Sequence, residues 1–100
     1  MANVELHVYP PLSYEMTSKR LGPHVIEEEI DPGETLGDLL SRLTNGSQIA
    51  WKKIFDTDLH QMRPGILAIL NGTVLAWKNA PETCLSRGDQ VGFRITYLGG

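Results

Sequence analysis

Apolar and polar residues alternate near both ends of the chain, which is the pattern of strands with one buried face. Residues 3–9 form the first such segment, and Pro10-Pro11 ends it because proline cannot donate to a sheet ladder. Residues 91–98 form the last segment. The apolar positions are Val4, Leu6 and Val8 in the first segment and Val91, Phe93, Ile95 and Tyr97 in the last. We therefore expect the first and last strands to contribute one face each to the core.

A second strand and one helix are predicted next. Residues 24–30 alternate in the same way and should form a hairpin with the first strand. In residues 36–44, leucines recur at i, i+3, i+4 and i+7, which places them on one face of a helix. Thr35 and Asp38 have the spacing of a capping box, and Asn45-Gly46 is expected to end the helix in a left-handed conformation.

The second half of the chain predicts another hairpin. Residues 66–70 are a continuous apolar run, Asn71-Gly72 is a strong two-residue turn signal, and residues 73–77 should return antiparallel. Residues 47–65 show no regular pattern, and their apolar side chains favour a short helix or a packed loop. Residues 78–90 are expected to form a loop that turns into the last strand.

These elements predict an α+β protein with a four- or five-stranded mixed sheet and one helix packed on a single face. The first and last strands can then lie side by side at the centre of the sheet as a parallel pair. The other face of the sheet is left open. Because the 100 residues contain no repeat, linker or low-complexity tract, we expect one domain over residues 1–100.

Composition argues against several classes of function. The formal net charge is −3, and the chain lacks the basic stripe of a nucleic-acid-binding protein. No apolar stretch approaches the roughly 18 residues of a membrane span, and the N-terminus lacks the pattern of a signal peptide. The histidines and the single cysteine do not have metal-ligand spacing, so we expect no metal site and a cytoplasmic protein.

Two charged or reactive features have simple structural interpretations. Residues 27–29 are the densest acidic run, and we interpret them as a solvent-facing strand edge. Cys84 invites comparison with thiol nucleophiles, which need cations or a helix N-terminus nearby. Because the nearest cation in sequence is Arg87, we interpret Cys84 as structural or incidental.

The sequence closes with Gly99-Gly100. These glycines form a thin, bendable tail whose terminal carboxylate has no Cβ beside it. Such a tail can enter a narrow pocket and react there at its carboxylate. A frayed chain end is the alternative interpretation.

Four segments together resemble one known family: residues 32–40 at the helix start, residues 63–72, residues 85–91 and the closing Gly99-Gly100. The family is that of the MoaD/ThiS sulfur carriers, prokaryotic relatives of ubiquitin. The matches cover nearly the whole chain in the family's order. The resemblance implies the β-grasp, ubiquitin-like fold, in agreement with the elements predicted above.

The resemblance also implies a chemistry at the tail. In this family a ubiquitin-activating-type enzyme uses ATP to adenylate the terminal glycine, which is then converted to a thiocarboxylate. By resemblance Gly100 is the reacting residue, and Leu98 and Gly99 form the flexible tail. The chain is then a carrier without catalytic residues or a bound cofactor. The large subunit of molybdopterin synthase, or another sulfur-accepting enzyme, is the second expected partner.

A partner surface follows from the same resemblance. In MoaD-type complexes the open sheet face beside the tail meets the partner, and Tyr9, Val74, Arg94 and Tyr97 are assigned to that surface here. Arg94 stands where the family usually has an apolar residue. Residues 96–98 replace the prolines that usually precede the tail. For Tyr9 and Arg94, ordinary exposed strand residues are the alternative interpretation.

Three kinds of function are compatible with the sequence. The first is a sulfur carrier, either a MoaD-like small subunit of molybdopterin synthase or a carrier for thiazole, tRNA thiolation or cysteine synthesis. The second is a ubiquitin-like modifier that forms isopeptide bonds through Gly100. The third is a β-grasp interaction module without tail chemistry. The chain exceeds a typical ThiS protein in residues 11–23 and 47–65, which favours a MoaD-like or modifier-like role.

Overall fold

The structure, a computed structural model, describes residues 2–17, 22–46 and 49–96. The described strands and helix are β1 (Ala2–Val8), β2 (His24–Ile30), α1 (Leu36–Thr44), β3 (Phe55–Asp56), β4 (Gln61–Met62), β5 (Ile66–Leu70), β6 (Thr73–Val74) and β7 (Gln90–Ile95). Three 3₁₀ turns lie between them, at Leu12–Glu15, Ile49–Lys53 and Ala80–Glu82.

The first and last strands pair in parallel at the centre of a five-stranded sheet, as the sequence predicts. The strand order is β2-β1-β7-β5-β6, and the parallel register runs from Glu5 beside Gln90 to Val8 beside Phe93. All other pairs in this sheet are antiparallel. With α1 packed across one face, this mixed sheet is the α+β, β-grasp arrangement expected from the sequence.

The helix begins at a complete capping box. The backbone N–H of Asp38 donates to Thr35 Oγ1 at 3.1 Å, and the backbone N–H of Thr35 donates to Asp38 Oδ2 at 3.3 Å. These two bonds satisfy donors that the first helical turn otherwise leaves unpaired. Three leucines of the predicted stripe are fully buried and the fourth is partly buried; they are Leu36, Leu39, Leu40 and Leu43.

Replacement of Thr35 by alanine should therefore destabilise the protein. Loss of an N-cap hydroxyl costs about 1 kcal/mol, because the N–H of Asp38 loses its acceptor. Urea unfolding followed by circular dichroism measures this loss. Thr73→Ala, at an exposed strand position, is the matched control and should change the unfolding free energy by less than about 0.5 kcal/mol. Equal losses in the two variants would contradict the role of the cap.

The end of the helix differs from the prediction. Asn45 has right-handed helical angles (φ −80°, ψ −3°), and Gly46 is not among the glycines with positive φ. The final turn is instead closed by hydrogen bonds that stay within right-handed geometry. Thr44 Oγ1 donates to the Leu40 carbonyl at 2.7 Å, and the Asn45 N–H donates to the Ser41 carbonyl at 3.0 Å. The expectation of a left-handed Asn45-Gly46 terminus was wrong.

The segment that showed no regular pattern contributes the largest side chain of the core. Trp51 is 1% exposed and contacts Phe93 of β7 edge to face, with ring centroids 5.8 Å apart. Ile54 and Phe55 are also fully buried. The 3₁₀ turn at Ile49–Lys53 is therefore packed into the core. The β3-β4 ribbon that follows it was not predicted. The side chain of Ile49 lies outside the described part of the chain.

The second hairpin is confirmed but is shorter than predicted. Asn71 and Gly72 have φ values of 49° and 87°, the two left-handed residues that a tight type I′ turn requires. The returning strand β6 ends at Val74 rather than at residue 77. Beyond it the N–H of Leu75 still donates to the carbonyl of Ala68, and a turn follows in which the N–H of Asn79 donates to the carbonyl of Ala76.

One face of the sheet is buried against helix α1, the 3₁₀ turns and the β3-β4 ribbon. The buried residues of β1 and β7 alternate with half-buried or exposed ones along both strands. The alternate residues form the opposite side, which we call the open face. Within the described ranges, no helix is long and apolar enough to cross a membrane.

Candidate functional site

The open face is organised around the parallel pair β1 and β7. The strand registers align one residue from each strand of the main sheet into a row across this face. The row is Val25, His7, Gly92, Ile69 and Val74. Its two outer valines are 47% and 55% exposed, so both edges of the open face carry apolar surface that solvent reaches.

Two residues further along each strand, and so on the same face, Tyr9 and Arg94 form a stacked pair. The guanidinium carbon of Arg94 lies 3.9 Å from the centroid of the Tyr9 ring, a distance at which cation–π attraction operates. The ring lies against Gly92, where an added Cβ would come within 3.2 Å of Tyr9 Cε2. Gly92 therefore provides the space that lets Tyr9 lie across β7 beneath the guanidinium.

A shallow depression of about 330 Å³ surrounds this pair. Its lining residues are His7, Tyr9, Ile69, Gly72, Gln90, Gly92 and Arg94. His7 Nε2 lies 3.0 Å from Glu5 Oε1 on the same strand, so this imidazole already has a polar partner. The depression combines an aromatic ring, an aliphatic side chain and a cation, a mixture typical of the centre of protein interfaces.

Arg94 is a cation of this surface that forms no ion pair with any described residue. The ion pairs of the described residues involve Arg42, Lys53, Arg63 and His7, and none includes Arg94. Because a guanidinium binds carboxylates through paired, directional hydrogen bonds, Arg94 is available for a carboxylate presented from outside.

The start of the tail is held at Thr96 by hydrogen bonds to Gly65, which directly precedes β5. Thr96, the last described residue, donates both its N–H and its Oγ1 hydroxyl to the carbonyl of Gly65, at 2.6 and 2.9 Å. This anchor sets the point from which the chain continues toward Gly100. The predicted tail residues Tyr97, Leu98, Gly99 and Gly100 lie outside the described residues.

The structure brings part of the predicted partner surface together. Tyr9 and Arg94 are in direct contact, whereas Val74 lies at the β6 edge of the same face. Sequence reasoning did not single out His7 or Gly92. The alternation of β1 places His7 on the same side as Tyr9, and this signal was sufficient to find it. The role of Gly92 depends on the β1–β7 register, which the sequence does not specify.

Other candidate chemistry lies away from this surface. Cys84 is exposed and forms an isolated bridge with Thr35 at the helix start. In the described ranges, no three side chains of histidine, cysteine, aspartate or glutamate come together as metal ligands.

The contact between Tyr9 and Arg94 can be measured by a double-mutant cycle. We expect Tyr9→Leu and Arg94→Ala to couple by about 0.5–1 kcal/mol in urea unfolding, the range for a solvent-exposed cation–π pair. A parallel cycle of Tyr9→Leu with Arg87→Ala, a cation outside the depression, provides the control and should give no coupling. Strictly additive losses for the first pair would contradict the stacking.

Sequence comparison alone does not place the chain in a family: no family model matches it, and no curated protein matches its sequence. Structural comparison does find related folds. Small archaeal modifier protein 1 from Haloferax volcanii superposes with a TM-score of 0.71 at 21% identity, covering 98% of this chain and 99% of that protein.

Two further solved structures agree over nearly their full lengths. Small archaeal modifier protein 1 from Methanosarcina acetivorans gives a TM-score of 0.68 at 24% identity, covering 100% of this chain and 98% of the other. Urm1 from Trypanosoma brucei gives 0.69 at 20% identity, covering 99% and 96%. At these identities the similarity concerns the fold, and it confirms the β-grasp arrangement predicted from the sequence.

Proposed function

We propose that this protein acts through the carboxylate of Gly100, as a ubiquitin-like carrier that an adenylating enzyme activates with ATP. The chain contributes presentation and recognition, and the partner enzymes contribute the catalysis. A carboxylate is a poor electrophile, and attachment of AMP gives it a good leaving group. The activated carbonyl then accepts either sulfur or an amine.

The course of β7 is the observation that supports this proposal most directly. This strand occupies the middle of the sheet between β1 and β5, and Thr96 beyond it is anchored to Gly65. The residues that follow therefore start from a rigid base. Because an extended chain spans at most about 3.6 Å per residue, roughly 14 Å is the greatest distance that four residues can span from that base.

The open face supplies the recognition surface in this proposal. It lies beside the exit point of the tail, and Tyr9, Arg94 and Val74 provide an aromatic ring, a cation and an exposed aliphatic side chain. An activating enzyme, or an acceptor such as a synthase large subunit, would contact this face while the tail enters its active site. We expect such a partner to place a carboxylate against Arg94.

Sulfur transfer is the first of two fates that we propose for the activated glycine. The outer sulfur of a partner's persulfide displaces AMP and forms an acyl disulfide. A thiol of the partner then attacks the other sulfur of that disulfide, which releases the thiocarboxylate and leaves a disulfide on the partner. The thiocarboxylate is the product that the resemblance to MoaD implies. Transfer to a pterin precursor by a molybdopterin synthase is the specific form of this proposal. Protein conjugation is the second fate, and it is favoured by the two structural relatives whose names describe them as modifier proteins.

Intact-mass spectrometry distinguishes the two fates. The protein, with Gly100 confirmed by mass as its last residue, is incubated with ATP, a sulfur donor and the adenylating enzyme from its host. Replacement of one carboxylate oxygen by sulfur is the result expected for a carrier. Species larger by the mass of a second protein, linked through Gly100 to a lysine, are expected for a modifier. Absence of any ATP-dependent product in host extract would refute tail activation.

Cys84 provides an internal control, because it is the single cysteine of the chain. Sulfur added to this thiol would increase the mass by a whole sulfur atom rather than by the difference between sulfur and oxygen. The Cys84→Ser variant should therefore keep the full ATP-dependent mass change. Loss of the change in this variant would place the sulfur on the thiol and contradict the proposal.

A further inference from the structure

The outer edge of β2 has backbone groups that the sheet does not use. The guanidinium of Arg42 donates to the carbonyl of Glu29 at 2.8 Å, which shows that the backbone groups of Glu29 point away from β1. Backbone direction alternates along a strand, so Val25 and Glu27 also direct their N–H and C=O groups outward. β2 is the last strand of the sheet on this side, and Arg42 covers this edge at Glu29.

A groove of mixed apolar and charged lining runs along the helix side of the same edge. It has a volume of about 500 Å³ and lies between β2 and the C-terminal half of α1. Its lining residues are Ile26, Glu27, Glu28, Arg42, Leu43, Gly46 and Trp51. Ile26 and Leu43 are partly buried against the core, so they present aliphatic surface to any strand added beside β2.

The edge has a strong acidic character. Glu27, Glu28 and Glu29 are consecutive on β2, and Glu34 joins them through Arg42. In this cluster the guanidinium of Arg42 is engaged by Glu28 and Glu34, at 3.7 and 3.3 Å. Glu27 and Glu29 have their side chains on the open-face side of the strand. There Asn3 Nδ2 donates to Glu27 Oε1 at 2.8 Å, and neither carboxylate forms an ion pair with a described cation.

We infer that β2 is a docking edge for an extended, basic strand of a partner protein. The added strand would pair with the outward N–H and C=O groups of Val25 and Glu27. Because side chains of a strand alternate, every second residue would enter the groove over Ile26 and Leu43, and the residues between would face Glu27 and Glu29. The edge therefore selects an alternating basic and apolar sequence, and this binding is independent of the tail.

Charge also decides against a second copy of this chain as the occupant. Pairing of β2 with β2 would bring one acidic run beside another, and like charges on adjacent strands repel. Acidic residues at a free edge therefore prevent self-association, while a basic strand turns the same charges into attraction. The monomer with an open edge is the form that we expect in solution.

The test uses a capped pentapeptide that alternates lysine and valine, with lysine at both ends, titrated into the isotope-labelled protein. We expect the amide signals of Val25 and Glu27 and the indole signal of Trp51 to shift, and the Val25 N–H to exchange more slowly. Affinity should fall as salt is added, because the contact includes exposed charges. A pentapeptide alternating glutamate and valine should not bind.

Substitutions on β2 separate backbone pairing from charge. Val25→Pro removes an outward N–H without removing a bond to β1, so the affinity for the peptide should fall at least about tenfold. Val25→Ala, which keeps the N–H, is the matched control. Glu27→Lys should also weaken binding about tenfold, whereas Glu82→Lys, the same charge change at an exposed site elsewhere, should leave it within about twofold.

Several outcomes would overturn the inference. These are an absence of shifts on β2 at millimolar peptide, equal binding of the glutamate peptide, and equal binding of a lysine–valine peptide of the same composition without alternation. A dimer joined through β2 in sedimentation experiments would assign the edge to self-association instead. If Val25→Pro fails to fold, Glu27→Lys and amide exchange in the wild-type protein still decide the question.

Discussion

Deletion of Gly100 is expected to reduce ATP-dependent modification of the protein at least about 100-fold, since misplacing a reacting group by even 1 Å has an effect of that size. The deletion leaves a glycine carboxylate at the end, so the chemistry of the group is unchanged. It withdraws that carboxylate by about 3.5 Å, the length of one extended residue. Single-turnover rates of adenylate formation, measured with the activating enzyme, provide the comparison.

Stability is the control for this deletion. Glycine has no side chain to bury, so removal of Gly100 should leave the urea midpoint unchanged. Arg94→Glu tests the proposed recognition surface on the open face. It should weaken association with the partner although the tail keeps all of its residues. Undiminished modification of the deletion variant would refute the assignment of Gly100 as the reacting residue.

Replacement of Trp51 by alanine is expected to destabilise the protein by about 3–5 kcal/mol, the usual cost of truncating a buried aromatic residue. Trp51 is fully enclosed and loses its edge-to-face contact with Phe93 in this variant. A domain of this size is stable by roughly 5–15 kcal/mol, so a substantial part of the total disappears. Urea unfolding measures the loss, and partial unfolding at 37 °C is a further expected result.

Trp77 offers the matched substitution. It is 41% exposed, so Trp77→Ala should cost less than about 1 kcal/mol. The comparison separates burial from the chemistry of tryptophan, because the same atoms are removed in both variants. Similar losses at the two positions would show that Trp51 does not form part of the core in solution.

Local patterns were enough to predict most of the sheet and the helix. Alternation identified the first and last strands because each has one buried face, and the leucine spacing identified α1 for the same reason. The capping box and the Asn71-Gly72 turn depend only on residues a few positions apart. Contacts of this range are encoded in short windows, so sequence reasoning recovers them.

Features that depend on tertiary contacts were not recovered. The 3₁₀ turn around Trp51 has no periodicity, and it is ordered by packing against Phe93, more than 40 positions away. The helix end was wrongly predicted because Asn45-Gly46 has the composition of a left-handed cap, whereas right-handed hydrogen bonds close the last turn.

In the candidate site, too, local patterns could be predicted from the sequence and tertiary contacts could not. The position of Tyr9 and Arg94 on one face followed from alternation and family resemblance. Their stacking over Gly92 requires the register of β1 against β7, which is set by the whole sheet. The free edge of β2 likewise became evident only when strand order and the bond from Arg42 to Glu29 were known.

The pairing of the two terminal strands has a consequence for biosynthesis. The sheet remains without its middle member until the ribosome has released residues 90–95, because β7 lies between β1 and β5. Nascent chains interrupted before this point lack β7, the strand that joins the two hairpins into one sheet, and they are exposed to proteolysis. Only polypeptides translated through residue 95 can therefore complete the five-stranded sheet.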